Sequence, residues 1–103
     1  MKRIKIFTLA RLTEEGPSPI LIQTGDGKIG IPLFQTKEMA RDFGKREGVP
    51  SDTVIGRQRT ARFFQVLRQA HIDGRLQYVL FNPEAGRSKE MSIPDFLILM
   101  ESS

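Results

Sequence analysis

Gly25, Gly27 and Gly30 stand at Gly-x-Gly-x-x-Gly spacing, the arrangement that lets a backbone approach a pyrophosphate where a helix begins. That chemistry needs a strand ahead of the glycines and a helix opening on them. The apolar run Ile20-Leu21-Ile22 does precede them, but Ile31-Pro32-Leu33-Phe34 follows, and the first helix signal waits until Thr36. Two strand-like runs turned at Gly25-Asp26-Gly27 describe a β-hairpin instead. The stretch therefore argues for architecture, and no cofactor is expected.

His71 is the one side chain suited to acid–base work near neutral pH. On a helical wheel it falls between Phe64 and Leu67, at the border of an apolar stripe. A histidine closing a helix, just before Asp73-Gly74, serves the last carbonyls and the helix dipole, so a structural role is expected. Ser18, Ser51, Ser88, Ser92, Ser102 and Ser103 fall in loops, caps or the tail, and no Gly-x-Ser-x-Gly elbow occurs. The pair Glu14-Glu15 lies in a polar loop without an evident partner carboxylate. With no cysteine and one histidine, thiolate chemistry, disulfides and the usual zinc sets are excluded. No catalytic or metal residue is expected.

The arginines are the strongest binding candidates. Of the formal net charge of +4, all lies between Thr53 and Arg75, where Arg57, Arg59, Arg62, Arg68 and Arg75 face only Asp73; the remainder is balanced. Arg57 and Arg59 flank a strand-to-helix turn, and Arg62 follows in the first helical turn. Together with Arg68 they offer guanidinium groups beside free N–H groups, a setting for phosphate or carboxylate. Two readings stand, an anion-binding face and a solvated helix face. Single-stranded nucleic acid would need exposed aromatics for stacking, and Phe63, Phe64 and Tyr78 are assigned to buried positions. Contact with a duplex backbone would be weak and salt-dependent.

The elements that position these residues follow from pattern. At 103 residues the chain is one domain, spanning 1–103, able to bury about two-thirds of its unfolded surface. Met1-Lys2-Arg3 starts like a signal peptide, but Lys5 and Arg11 interrupt the apolar region and no run reaches membrane length. A cytoplasmic location without membrane contact is expected. Arg3 to Ala10 alternates as a strand, and Arg11 to Ser18 is a polar loop whose prolines resist a ladder. After the hairpin, with Pro32 marking an edge or bulge, Thr36 caps a helix from Lys37 to Arg46, ended by Gly48 and Pro50. Lys37, Arg41 and Lys45 line its outside.

Thr53 to Arg57 is a short strand, and Thr60 caps a helix from Ala61 to Ile72 with Phe63, Val66, Leu67 and Ala70 inward. Leu76 to Phe81 is apolar throughout, as in a central strand. It breaks at Asn82-Pro83-Glu84-Ala85-Gly86. Ser92 and Asp95 open a last helix with Pro94 in its first turn. The class is α+β: a mixed, mainly antiparallel five-stranded sheet with two to three covering helices, in the order β-β-β-α-β-α-β-α.

Three segments carry a resemblance. Ile31-Pro32-Leu33-Phe34-Gln35-Thr36 runs straight into Lys37-Glu38-Met39-Ala40; Val54-Ile55 precedes a helix rich in Leu and Phe; and Tyr78-Val79-Leu80-Phe81 ends in Asn82-Pro83-Glu84. From Ile20 to Met100 this resembles the N-terminal domain of the SseB family, serine-sensitivity-enhancing proteins with relatives near bacterial secretion systems. Gln35 and Lys37 depart from the Thr and Ser of that pattern. The resemblance implies a bacterial domain without an established catalytic site; with no catalytic constellation in the residues, a non-catalytic domain is expected whose partner is another protein, met by the hairpin edge or the arginine face. Nucleic acid or a phosphorylated ligand is the alternative. Monomer and homodimer both stay open.

Overall fold

Period-two alternation in the first and fourth strands sets the architecture. The computed structural model describes residues 5–50, 52–58, 60–81 and 89–101. These form, in chain order, β1 (Ile6–Thr13), β2 (Gly16–Pro19), β3 (Ile22–Gln23), β4 (Ile29–Leu33), α1 (Lys37–Glu47), β5 (Thr53–Gln58), α2 (Thr60–Ile72), β6 (Tyr78–Phe81), β7 (Lys89–Ser92) and α3 (Ile93–Glu101). Ile6 and Phe7 are consecutive, so their side chains leave β1 on opposite faces. Ile6 joins a core with Leu33 of β4 and Val79 of β6, against Phe63 and Leu67 of α2 and Phe96 of α3. Phe7 joins a second core with Leu9 and Phe34, covered by Ala40 and Phe43 of α1. One helix thus covers one face of the strands, and two cover the other.

The fold is α+β with a mixed sheet pattern, but a single five-stranded sheet does not form. The strands divide into an antiparallel set, β2-β1-β5, and a mixed set, β3-β4-β6-β7, in which β4 and β6 run parallel. A bridge between Phe7 and Phe34 links the two, through N–H···O bonds of 2.8 and 3.0 Å. Two local facts stop that ladder from growing. The next β4 position facing β1 is Pro32, which has no N–H to donate. The next β1 carbonyl, that of Leu9, accepts from Ile20 N–H at 2.8 Å instead. Pro32 thus sits where its strand lacks a neighbour on one side, the edge its chemistry implied.

Two strands occupy segments where the pattern predicts none. Gly16–Pro19, expected as loop, pairs with β1 in the register Thr13–Gly16 to Ala10–Pro19. Because Ile20 N–H points at β1, alternation turns Gly16 and Ser18 the same way and sends Pro17 and Pro19 outward. The missing N–H groups therefore fall on the open edge, where no ladder needs them. Lys89–Ser92 pairs with β6; only Met91 of its residues is half-buried, so no apolar run announces it.

The helix ends agree with their chemistry. Thr36 Oγ1 accepts from Met39 N–H, and Gly48 closes α1 in the left-handed region at φ 66°. Asp95 N–H donates to Ser92 Oγ at 3.2 Å at the start of α3. On α2, Phe63 and Leu67 are buried, whereas Val66, placed inward by the wheel, is 55% exposed. β6 lies between β4 and β7 with Tyr78, Val79 and Phe81 buried, the central position its composition predicts. The break at Asn82-Pro83-Glu84-Ala85-Gly86, the start at Arg3 and the Thr60 side chain lie outside the described residues. Among the described residues no helix is long and apolar enough to cross a membrane.

Candidate interaction site

The glycine stretch closes on itself. β3 and β4 form the expected hairpin, in the register Ile22–Gly30 and Gln23–Ile29. Within the turn Thr24 N–H donates to Lys28 O at 2.9 Å, and Gly27 N–H donates to Thr24 O at 3.0 Å with Gly27 at φ 85°. The Thr24 hydroxyl donates to the Asp26 carboxylate. That bond, reinforced by Lys28, holds the Asp26 carboxyl below the usual carboxylate range. An ionised aspartate at the tip opposes a pyrophosphate, and β4 rather than a helix follows. Gly30 serves packing: a Cβ there would collide with the Tyr78 ring, its direct partner on β6.

The predicted arginines do not converge. Arg57 lies on β5, exposed, opposite Phe7 and so on the α1 face of its sheet. Arg59 lies outside the described residues. Arg62 is exposed on α2, whose core residues meet Ile6 on the opposite face. Arg68 is about 120° around the same helix from Arg62 and pairs with Glu101 of α3 at 3.3 Å. Arg75 pairs with Asp73 at 3.3 Å. Both pairs are solvated and each contributes at most about 1 kcal/mol.

What accompanies Arg57 comes instead from α1. Thr53, Ile55 and Arg57 alternate with Val54 and Gly56, and their side chains share one face with Leu9. Between that face and α1 lies a shallow groove of about 370 Å³, lined by Leu9, Thr53, Ile55 and Gly44, with Arg41 and Lys45 among its walls. Arg41, Lys45 and Arg57 make no ion pair among the described residues. Thr53 Oγ1 is shielded from solvent and lacks a hydrogen-bond partner there.

The backbone beside this groove is open. Phe7 and Leu9 direct their N–H and C=O groups towards β4 and β2. The bonds between β1 and β5 therefore run through Val54, Gly56 and Gln58, and Thr53, Ile55 and Arg57 face outward. Thr53 N–H is satisfied by Pro50 O at 3.0 Å. Ile55 and Arg57 have no backbone partner on that side among the described residues. The hairpin edge considered from the sequence is much shorter, since β3 has two residues.

Three residues hold the surroundings together. Gln77 accepts from Ile29 N–H at 2.7 Å through Oε1 and donates to Gly74 O at 2.9 Å, tying the end of α2 to β4. No local pattern marks it. His71 is half-buried with Nδ1 3.3 Å from Leu76 O; its partner is the carbonyl of the following segment rather than a last-turn carbonyl of its own helix. Tyr78 is 3% exposed and its hydroxyl is buried without a partner among the described residues. Burial, with the Glu90 and Asp26 charges, pushes its pKa up. Among the described residues no group of three or more His, Asp or Glu side chains is placed to hold a metal. Comparison with protein-family models and with curated proteins gives no match.

Proposed function

We propose that this chain is a non-catalytic, SseB-like domain that works by binding another protein, in keeping with the secretion-associated relatives its sequence resembles. The observation that carries the reading is the open edge of β5. Among the described residues it is the longest edge strand, with six residues and two outward positions that retain both backbone groups. Such an edge is a template for a partner chain. His71, bonded to a main-chain carbonyl, has no carboxylate or hydroxyl beside it among the described residues, which supports a structural role. The arginine segment as an anion site is the weaker alternative, because Arg68 and Arg75 already face carboxylates.

Chemical cross-linking of the chain in its native host, followed by isolation under denaturing conditions, tests the reading. A stoichiometric protein partner is expected. Recovery of nucleic acid alone, and its loss when cross-linking is done at moderate salt, would instead favour the alternative.

A further inference from the structure

We infer that β5 takes up an extended, acidic segment of the partner as an added strand. This names the partner's chemistry and rests on the reading of the chain as a protein-binding domain. Three observations converge on it. The first is the comparison of edges. β2 is blunted because Pro17 and Pro19 occupy its outward positions, β3 is only two residues long, and β7, the fourth edge, has four residues and turns the acidic Glu90 outward. β5 has no proline, and Ile55 and Arg57 present N–H and C=O groups along one line that are unpaired among the described residues.

The second observation is the relation of edge to groove. In a strand, backbone direction and side-chain direction alternate together. The residues that face outward, Thr53, Ile55 and Arg57, are therefore those whose side chains lie on the α1 face. A strand added here would lay alternate side chains on that same face, beside the groove under α1. Main-chain bonds would supply affinity, and the groove would select side chains.

The third is charge. Arg41 and Lys45 line the groove, Arg57 stands on the strand, and among the described residues none is neutralised by an ion pair. The acid at the strand's start, Asp52, is held by Arg11 at 3.6 Å. An incoming strand with Asp or Glu at alternate positions matches these cations. A second copy of this chain, pairing β5 with β5, would bring two such cationic sets together. The charges that deter self-pairing thus favour an acidic partner.

The test is selection of random displayed decapeptides on the full-length chain. Enriched peptides are expected to carry Asp or Glu at alternate positions and to weaken as salt rises. Ile55→Pro removes only an outward N–H from the backbone, so it should lower affinity about tenfold, while Ile55→Ala, which keeps that N–H, should lower it less. Arg57→Gln and Lys45→Gln should each lower it about threefold. If Ile55→Pro fails to fold, amide exchange at Ile55 and Arg57 of the unmodified chain with a selected peptide decides, both being protected on binding.

Basic or proline-rich winners, no enrichment at all, indifference to Ile55→Pro in a folded variant, or protection elsewhere would each overturn the inference. So would self-association of the chain that Ile55→Pro abolishes. A cross-linked partner recovered from the host alongside any of these results would leave the protein-binding reading standing and remove only the acidic-strand mode.

Discussion

Gly30→Ala isolates the contact that decides what the glycine triplet is for. The added methyl would overlap the Cε2, Cζ and Cδ2 atoms of Tyr78, a ring that is 3% exposed in the central strand and has little room to retreat. Gly30 does not have a positive φ, so alanine incurs no backbone strain. It would even gain about 0.4–1 kcal/mol by narrowing the unfolded ensemble. Overpacking opposes that gain with about 1–3 kcal/mol. The net expectation is a loss of about 1–2 kcal/mol, a fall in Tm of roughly 4–8 °C for each kcal/mol in a domain this size. Urea unfolding should show a lower midpoint with the slope unchanged. Repeating Gly30→Ala in a Tyr78→Val background should erase the loss, since the ring that blocks the methyl is gone. An equal loss in both backgrounds would refute the contact. A variant that keeps full stability but loses binding of a nicotinamide dinucleotide would refute the hairpin reading itself.

Gln77→Ala should cost about 1–3 kcal/mol, because it strands the Ile29 N–H that now donates at 2.7 Å; Gln77→Glu keeps that acceptor and should cost less in the same urea titration. Thr53→Val removes a shielded hydroxyl without a partner among the described residues, so a gain of about 1 kcal/mol is expected, and a loss would show that the hydroxyl is satisfied. Tyr78 has a folded pKa raised above its ordinary value of 10.0, first by burial and then by Glu90. Its contribution to stability is complete below the unfolded pKa and is lost as pH rises through the folded one. The wild-type chain should therefore lose stability relative to Tyr78→Phe above about pH 10, and a constant difference from pH 8 to 11 would contradict the shift.

Local chemistry was legible in the sequence, and partner-dependent chemistry was not. Thr36, Gly48 and Ser92 act within a few residues of themselves, so the helix ends they mark are where their side chains and backbone preferences put them. The hairpin at Gly25-Asp26-Gly27 is equally local. β2 was hidden because whether Pro17 and Pro19 are tolerated depends on which way they face, and β1 sets that parity through the bond from Ile20 to Leu9. The division into two sheets turns on Pro32 and the same Leu9 carbonyl, a pairing no window of sequence contains. β7 was hidden because Lys89-Glu90-Met91-Ser92 gains order from β6 rather than from its own apolarity.

The candidate site shows the same split. Arg57 was visible as a charge beside a strand end. Arg41 and Lys45 were visible only as the outer face of α1, and they are exposed. Their position along β5 comes from how α1 lies across β1 and β5, which is tertiary information. The arginine cluster, conversely, was compact in sequence and is dispersed in space, because Arg62 and Arg68 point about 120° apart and Arg57 lies on the far face of its sheet from α2.

Amide hydrogen exchange along β5, in the free chain and in complex with the partner recovered from the native host, tests the central claim most directly. In the free chain Val54, Gly56 and Gln58, bonded to β1, should exchange slowly, while Ile55 and Arg57 exchange fast. In the complex all five should be slow. Fast exchange at Ile55 and Arg57 in a saturated complex would contradict β5 as the docking edge.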